Sequence, residues 1–408
     1  TGTRRRTGLC ALLAGALALP LAACAGTQSS SGSTGSSSGP ITIGMSLPLS
    51  GPVADNSKNG YQGYQQWADT VNAHGGLLGR QVKLVVLDDG FQQNTAISDY
   101  TKLIGQDHVN LLLGTFSSFL NLPVAEVAER NKYVYIEPSG GADSIFARNF
   151  KYLFFAQPAT TQNVPDRFVS LIAALPASQR PKTAAYVTQD DPNASEATAL
   201  FKEQLGKLGV TSVYDSTYAP DTSNFDAIAN SIKQAKPDLV IQGALADDGT
   251  ALIRSFQKVG FSPTLMYQMN SPTDPGYSAA IGASNTEGIF TYLGYSPAAP
   301  YAGNAAFVAS YTKAYGSAPT EDAANSYTAG QVLQAAVTAV GSLDQTKIAD
   351  WLHSHTVQTV SGPLSWNAAG KPTGSMLLAQ WQSQKLQIIA PSTAQTTTKV
   401  VLTKPGWS

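Results

Sequence analysis

The chain has 408 residues, with 26 Lys and Arg against 27 Asp and Glu, a formal net charge of −1 at pH 7 and only 13% charged residues. That balance offers no basic surface for nucleic acid or for an anionic lipid face. A chain of this length exceeds what one core usually organises, so two domains are expected.

In chain order, Arg4, Arg5 and Arg6 precede an Ala/Leu-rich run from Leu9 to Leu19 that is shorter than the about 20 residues of a permanent span. It reads as a cleaved signal. The run closes on Leu21-Ala22-Ala23-Cys24, which resembles the bacterial lipobox, and Cys10 is the only other cysteine. The resemblance implies lipidation of Cys24 after cleavage, hence a signal over 1–24 and a chain exported and lipid-anchored at the outer face of the plasma membrane. Residues 25–40 are almost wholly Ser, Gly, Thr and Gln and read as a flexible tether.

From Ile41 the pattern alternates strand and helix. Ile41, Ile43, Met45 and Leu47 predict a strand, and Tyr61, Tyr64, Ala68 and Val71 recur at helical spacing. The spacing then predicts a strand over 82–87, a helix to about 105, a strand over 109–113, a helix over 120–130 and a strand over 133–136. Buried strands separated by crossover helices predict a parallel, doubly wound α/β sheet. The pattern restarts with helices over 161–175, 196–208, 224–235 and 247–259 and strands over 184–187, 210–214, 239–241 and 264–267. Two successive sheets of one design imply two lobes with a crevice between them.

Asn72-Ala73-His74-Gly75-Gly76-Leu77-Leu78-Gly79, Asp88-Asp89, Gly114-Thr115-Phe116-Ser117-Ser118, Glu137-Pro138-Ser139 and Val360-Ser361-Gly362-Pro363-Leu364-Ser365-Trp366-Asn367 together resemble the leucine/isoleucine/valine-binding protein family. These are solute receptors of ABC importers. The resemblance covers Ile41 to about Ile389 and implies the type I periplasmic binding protein fold, two Rossmann-like lobes with parallel sheets joined by three crossovers. By that analogy the first lobe takes 41–157 and 288–343, the second takes 158–287 and 344–389, and 390–408 is a tail. A strand candidate at Lys399-Val400-Val401-Leu402 is expected to pack on the body.

Ligands of open α/β sheets sit beyond the carboxyl ends of the strands. Phe116, Ser117 and Ser118 occupy that position, and Ser139, Gly140 and Gly141 follow the next strand; their hydroxyl and backbone N–H donors suit a carboxylate. The serines equally fit helix caps. Where relatives surround a ligand ammonium with aromatic and acidic residues, alignment places Asn56, Asn193, Ala244 and the neighbourhood of Met269-Asn270. Gln268 and Asn270 could bond an amide or hydroxyl group. An unpaired ammonium is costly to bury, so the ligand is expected to lack a free amine unless a carboxylate approaches it, the candidates being Asp247, Asp248 and Asp274. Phe116, Phe119 and Tyr267 are candidates for an apolar lining.

An enzyme is not expected. His74, His108, His353 and His355 lack the carboxylate or thiolate company of a metal site, and no nucleophile elbow or phosphate-binding loop is present. No cofactor is expected. The expected partners are a small solute, an ABC permease with its ATPase, and the membrane through Cys24, with the protein itself a monomer. The alternative is a sensor of the same fold whose closure is read by a receptor.

Overall fold

The computed structural model describes residues 39–407, apart from 52, 220–221, 245–247 and 275. The signal, lipobox and most of the tether lie outside these residues. At the tether's end, Arg80 donates to the carbonyls of Gly39 and Pro40.

The first sheet grows from the first half of the pattern. β1 (Ile41–Leu47), α1 (Ala54–Ala73), β2 (Val82–Asp88), α2 (Gln93–Gly105), β3 (Leu111–Leu113), α3 (Ser118–Arg130), β4 (Tyr135–Glu137), the short α4 (Asp143–Phe146) and β5 (Leu153–Phe155) follow in order. The strands pair in parallel as β2-β1-β3-β4-β5. Both faces are covered, as the side-chain alternation of a strand requires. Leu111 and Leu113 join the core under α1, whereas Leu112 joins the core under α2 and α3.

The second sheet is built on α5 (Asp166–Ala174), β6 (Thr183–Gln189), α6 (Pro192–Lys207), β7 (Thr211–Tyr218), α7 (Asp226–Ala235), β8 (Leu239–Gly243), α8 (Asp248–Val259), β9 (Leu265–Gln268), α9 (Tyr277–Ile281) and β10 (Ile289–Leu293). Ala184 and Tyr186 of β6 face one core, Ala185 and Val187 the other. The chain then forms α10 (Asn304–Tyr315), α11 (Glu321–Val340), α12 (Gln345–Leu352), the small hairpin of β11 (Val357–Thr359) and β12 (Gly362–Leu364), and the hairpin of β13 (Leu377–Gln382) and β14 (Lys385–Ala390). The second sheet has the order β14-β13-β10-β9-β8-β6-β7, parallel from β10 to β7 and antiparallel at β13 and β14.

The chain passes between the sheets three times: after β5, after β10 and after β12. Two of these passages come later than expected. Residue 288 does not begin the return to the first lobe, because Ile289 and Phe290 pair in parallel with Met266 and Tyr267 of β9. Residues 344–366 do not belong to the second lobe, because Ile348, Leu352, Val357, Leu364 and Trp366 are buried in the first lobe's core. The first lobe is closed by α11 lying along α1, an approach that two glycines permit. A Cβ on Gly63 would stand 2.0 Å from the Ala323 carbonyl oxygen, and one on Gly330 would stand 2.2 Å from the Trp67 ring.

Residues 399–402 form no strand. They still dock on the second sheet: Gln380 accepts from the Val401 N–H at 2.9 Å and donates to its carbonyl at 2.8 Å.

Candidate functional site

The carboxyl ends of β3 and β4 lead into two short loops held together by one buried side chain. Asn121 Nδ2 donates to the carbonyls of Thr115 (3.1 Å), Ser117 (3.1 Å) and Ser139 (2.5 Å), while its Oδ1 accepts from the Tyr135 hydroxyl at 2.5 Å. The 114–118 and 138–141 loops therefore form one rigid lip. Gly114 is needed there, since a Cβ would meet the Glu137 Cα at 2.5 Å.

On this lip the three serine oxygens each accept from a backbone N–H. Ser117 Oγ caps α3 through Phe119 N (3.2 Å), Ser118 Oγ takes Ala142 N (3.2 Å) and Ser139 Oγ takes Ser117 N (3.4 Å). The capping role and a binding role are compatible at Ser117: an oxygen occupied as acceptor leaves its own O–H to donate elsewhere. The N–H groups of Gly140 and Gly141 have no acceptor among the described residues.

The lip forms one wall of a cleft of about 700 Å³. Phe116, Ser117, Ser118, Ser139, Gly140, Gly141, Asn193 and Asn270 all line it, as does Phe119. A void of about 10 Å³ behind Phe116, Ser139 and Asp322 is too small for a solute, so the larger cleft is the candidate site. The far wall comes from the second sheet. Asp191 caps α6 through the N–H groups of Asn193 (2.8 Å) and Ala194 (3.0 Å), Glu196 follows one turn on, and Asn193 Oδ1 accepts from Thr161 Oγ1 at 2.8 Å.

Four expected site residues lie elsewhere. Gln268 is fully buried, donating to Gln242 Oε1 (2.6 Å) and the Gly249 carbonyl (3.1 Å) and accepting from the Tyr277 hydroxyl. Ala244 is buried and offers only its carbonyl, which accepts from Asn270 Nδ2 at 2.9 Å. Asn56 does not line the cleft but donates to Asp322 Oδ2 at 3.0 Å. Tyr267 is core. Of the carboxylates considered for an amine, Asp248 accepts from Gln189 (2.6 Å) and Tyr218 (3.0 Å), Asp274 closes a turn on Gly276 N (2.6 Å), and Asp247 lies outside the described residues.

On the first lobe, the acidic groups that face the cleft come from the first turn of α11. Glu321 and Asp322 line it beside Asn325, and Tyr292 and Gln157 stand nearby on the same lining. Glu321 is exposed to the cleft, but the protein crowded around it takes enough water from its carboxyl that burial pushes it up to about 7, with repulsion from Asp322 adding to the rise. Burial also raises Asp322, against the opposing bond from Asn56. Asn325 is 2% exposed and its Oδ1 has no hydrogen-bond partner. Carboxylates thus do line the cleft, on α11 rather than at Asp248 or Asp274. The sequence signal was present as Thr320-Glu321-Asp322, but acids in a first helical turn are what any helix favours.

Directly behind the lip lies Glu137, fully buried, with no hydrogen-bond partner for either carboxyl oxygen. Burial holds its ionisation far above the ordinary range, and the approach of the Ser139 N–H opposes this only in part. A carboxyl raised in the folded state contributes stability below the ordinary Glu value of about 4.3 and loses it as pH rises through the raised value. Glu137→Gln should therefore match the parent in urea denaturation near about pH 4 and exceed it by about 1–3 kcal/mol near about pH 8. Equal stabilities at both values would show that Glu137 has an ordinary ionisation.

Comparison with known proteins identifies the family and the fold. The model of the periplasmic binding protein family matches residues 40–385. An amino acid binding protein of Pseudomonas aeruginosa is 26% identical over 333 residues, 81% of this chain and 87% of the relative. A Leu/Ile/Val-binding protein of Rhizobium johnstonii is 26% identical over 352 residues, 85% of this chain and 93% of the relative. Among solved structures, the solute binding protein of an ABC transporter from R. palustris in complex with benzoate superposes with a TM-score of 0.70 at 24% identity, covering 90% of this chain and all of that one.

Proposed function

The chain belongs to the periplasmic binding protein family, and from that premise we propose that it captures a small amino acid or a related carboxylate between its two lobes and delivers it to an ABC permease. The observation that carries this reading is the polarity of the cleft. One wall presents the hydroxyls of Ser117, Ser118 and Ser139 and the free N–H groups of Gly140 and Gly141, and the first turn of α11 presents Glu321, Asp322 and the unpaired Asn325 Oδ1. Donors on one side and acceptors on the other suit a zwitterion, its carboxylate on the lip and its ammonium toward α11. The second sheet would rotate about the three passages and bury the solute, closure being favoured only as far as the solute binds the closed state better. The lipobox at Cys24 supports a chain held at the outer membrane surface beside its permease.

A thermal-shift screen of the chain from Gly39 against amino acids, amides and aromatic carboxylates tests this. A ligand at 100 times its Kd stabilises the folded state by about 2.7 kcal/mol. An upward shift with an amino acid that Ser118→Ala weakens is the expected result, whereas shifts confined to molecules without an amine would refute the zwitterion.

A further inference from the structure

Every side chain of formal charge among the described residues lining the cleft is an acid: Asp191 and Glu196 from the second lobe, Glu321 and Asp322 from the first, with no Lys, Arg or His. A zwitterion with an aliphatic side chain carries one positive charge, which the α11 turn can meet. The second-lobe pair would then be drawn out of water on closure with nothing to balance it, and an unpaired carboxylate is costly to desolvate.

The second-lobe acids are not used up within the protein. Asp191 commits Oδ1 to the α6 cap, and Glu196 makes no hydrogen bond or ion pair with any described residue. Asn325 gives independent testimony to the character of the missing ligand. It is 2% exposed, it lines the same cleft, and the atom left without a partner is an acceptor. A buried acceptor unmet by the protein calls for a donor from the ligand.

Resting on the zwitterion reading, we propose that the solute is an amino acid with a second cationic group on its side chain, a diamino or guanidino acid, and that Glu196 is the residue that selects it. The α-carboxylate sits on the Ser117–Ser118 and Ser139–Gly141 lip, the α-ammonium meets Glu321, Asp322 and Asn325, and the side-chain cation pairs with Glu196 across the cleft. A volume of about 700 Å³ leaves room for the longer side chain.

Calorimetric titration of the chain from Gly39 with lysine, ornithine, arginine, leucine, valine and benzoate is the test. At least one basic amino acid should bind about a hundredfold more tightly than leucine, and Glu196→Gln should remove about tenfold or more of that margin. Ser118→Ala should weaken basic and neutral amino acids alike. Leucine or valine binding as tightly as every basic amino acid would overturn the second cation and leave the zwitterion reading standing. A Glu196→Gln variant that keeps the full margin would overturn the role of Glu196. Binding of benzoate alone would defeat both readings.

Discussion

Glu321→Gln is expected to weaken capture of an amine-bearing solute by about 30-fold or more, with the fold intact. Removing one member of a desolvated, hydrogen-bonded charge pair costs about 2–5 kcal/mol, of which the lower end is that factor. The pH profile sharpens the test. A cationic group binds the ionised carboxylate, and the carboxyl of Glu321 is pushed up to about 7 by burial. Affinity in the parent should therefore rise tenfold per pH unit below that value and level off above it, and this slope should vanish in Glu321→Gln. Asp322→Asn should cost less, since Asn56 already neutralises part of its demand through the 3.0 Å bond. Unchanged affinity in Glu321→Gln, measured by titration at about pH 6 and pH 8 with lysine and leucine, would remove α11 from the site.

Gly63→Ala is expected to destabilise the protein by about 3 kcal/mol, at the upper end for overpacking. The new methyl would stand 2.0 Å from the Ala323 carbonyl oxygen, and a backbone atom cannot rotate away as a side chain can. Either α1 and α11 separate, uncovering Trp67 and Val71, or α11 shifts along its axis. In the second case Glu321 and Asp322 move with it, so affinity should fall together with stability. Gly206→Ala is the control. Gly206 lies in α6, where an added Cβ would meet nothing within 4 Å, and the change should be stabilising by about 0.4–1 kcal/mol. Equal urea midpoints for Gly63→Ala and the parent would show that the two helices are not tightly seated.

The lip of the site was legible because its signal is local. A buried strand ending at Leu113, a glycine, a pair of serines and a helix form one continuous stretch, and the rule about strand carboxyl ends does the rest. Asn193 and Asn270 were reached through the family resemblance, and both line the cleft. Gln268 shows where local reading fails. It ends β9 as a ligand residue could, but a strand buried on both faces carries no alternation to say which side chains point toward a crevice. Glu321 and Asp322 escaped for the opposite reason: their local context is fully explained as helix capping, and only the packing of α11 on α1, roughly 260 residues apart in sequence, brings them to the lip. The passage points failed similarly, because whether β10 pairs with β9 is a matter of long-range register.

The return of the chain to its first lobe bears on how that lobe comes into being. At a synthesis rate of about 5–20 residues per second, roughly 10–50 s separate the appearance of α1 from that of α11. Throughout that interval the face of α1 carrying Tyr64, Trp67 and Val71 has only the strands of the first sheet against it, since the residues that complete its burial include Ala329, Val332 and Leu333. A nascent chain halted near residue 160 should be readily cut by protease and should need a holdase to stay in solution. The lobe that bears the serine lip is thus the first to be begun, yet it stays open until α11, α12 and the β11–β12 hairpin have been made, with most of the second lobe's sequence emerging between its two segments.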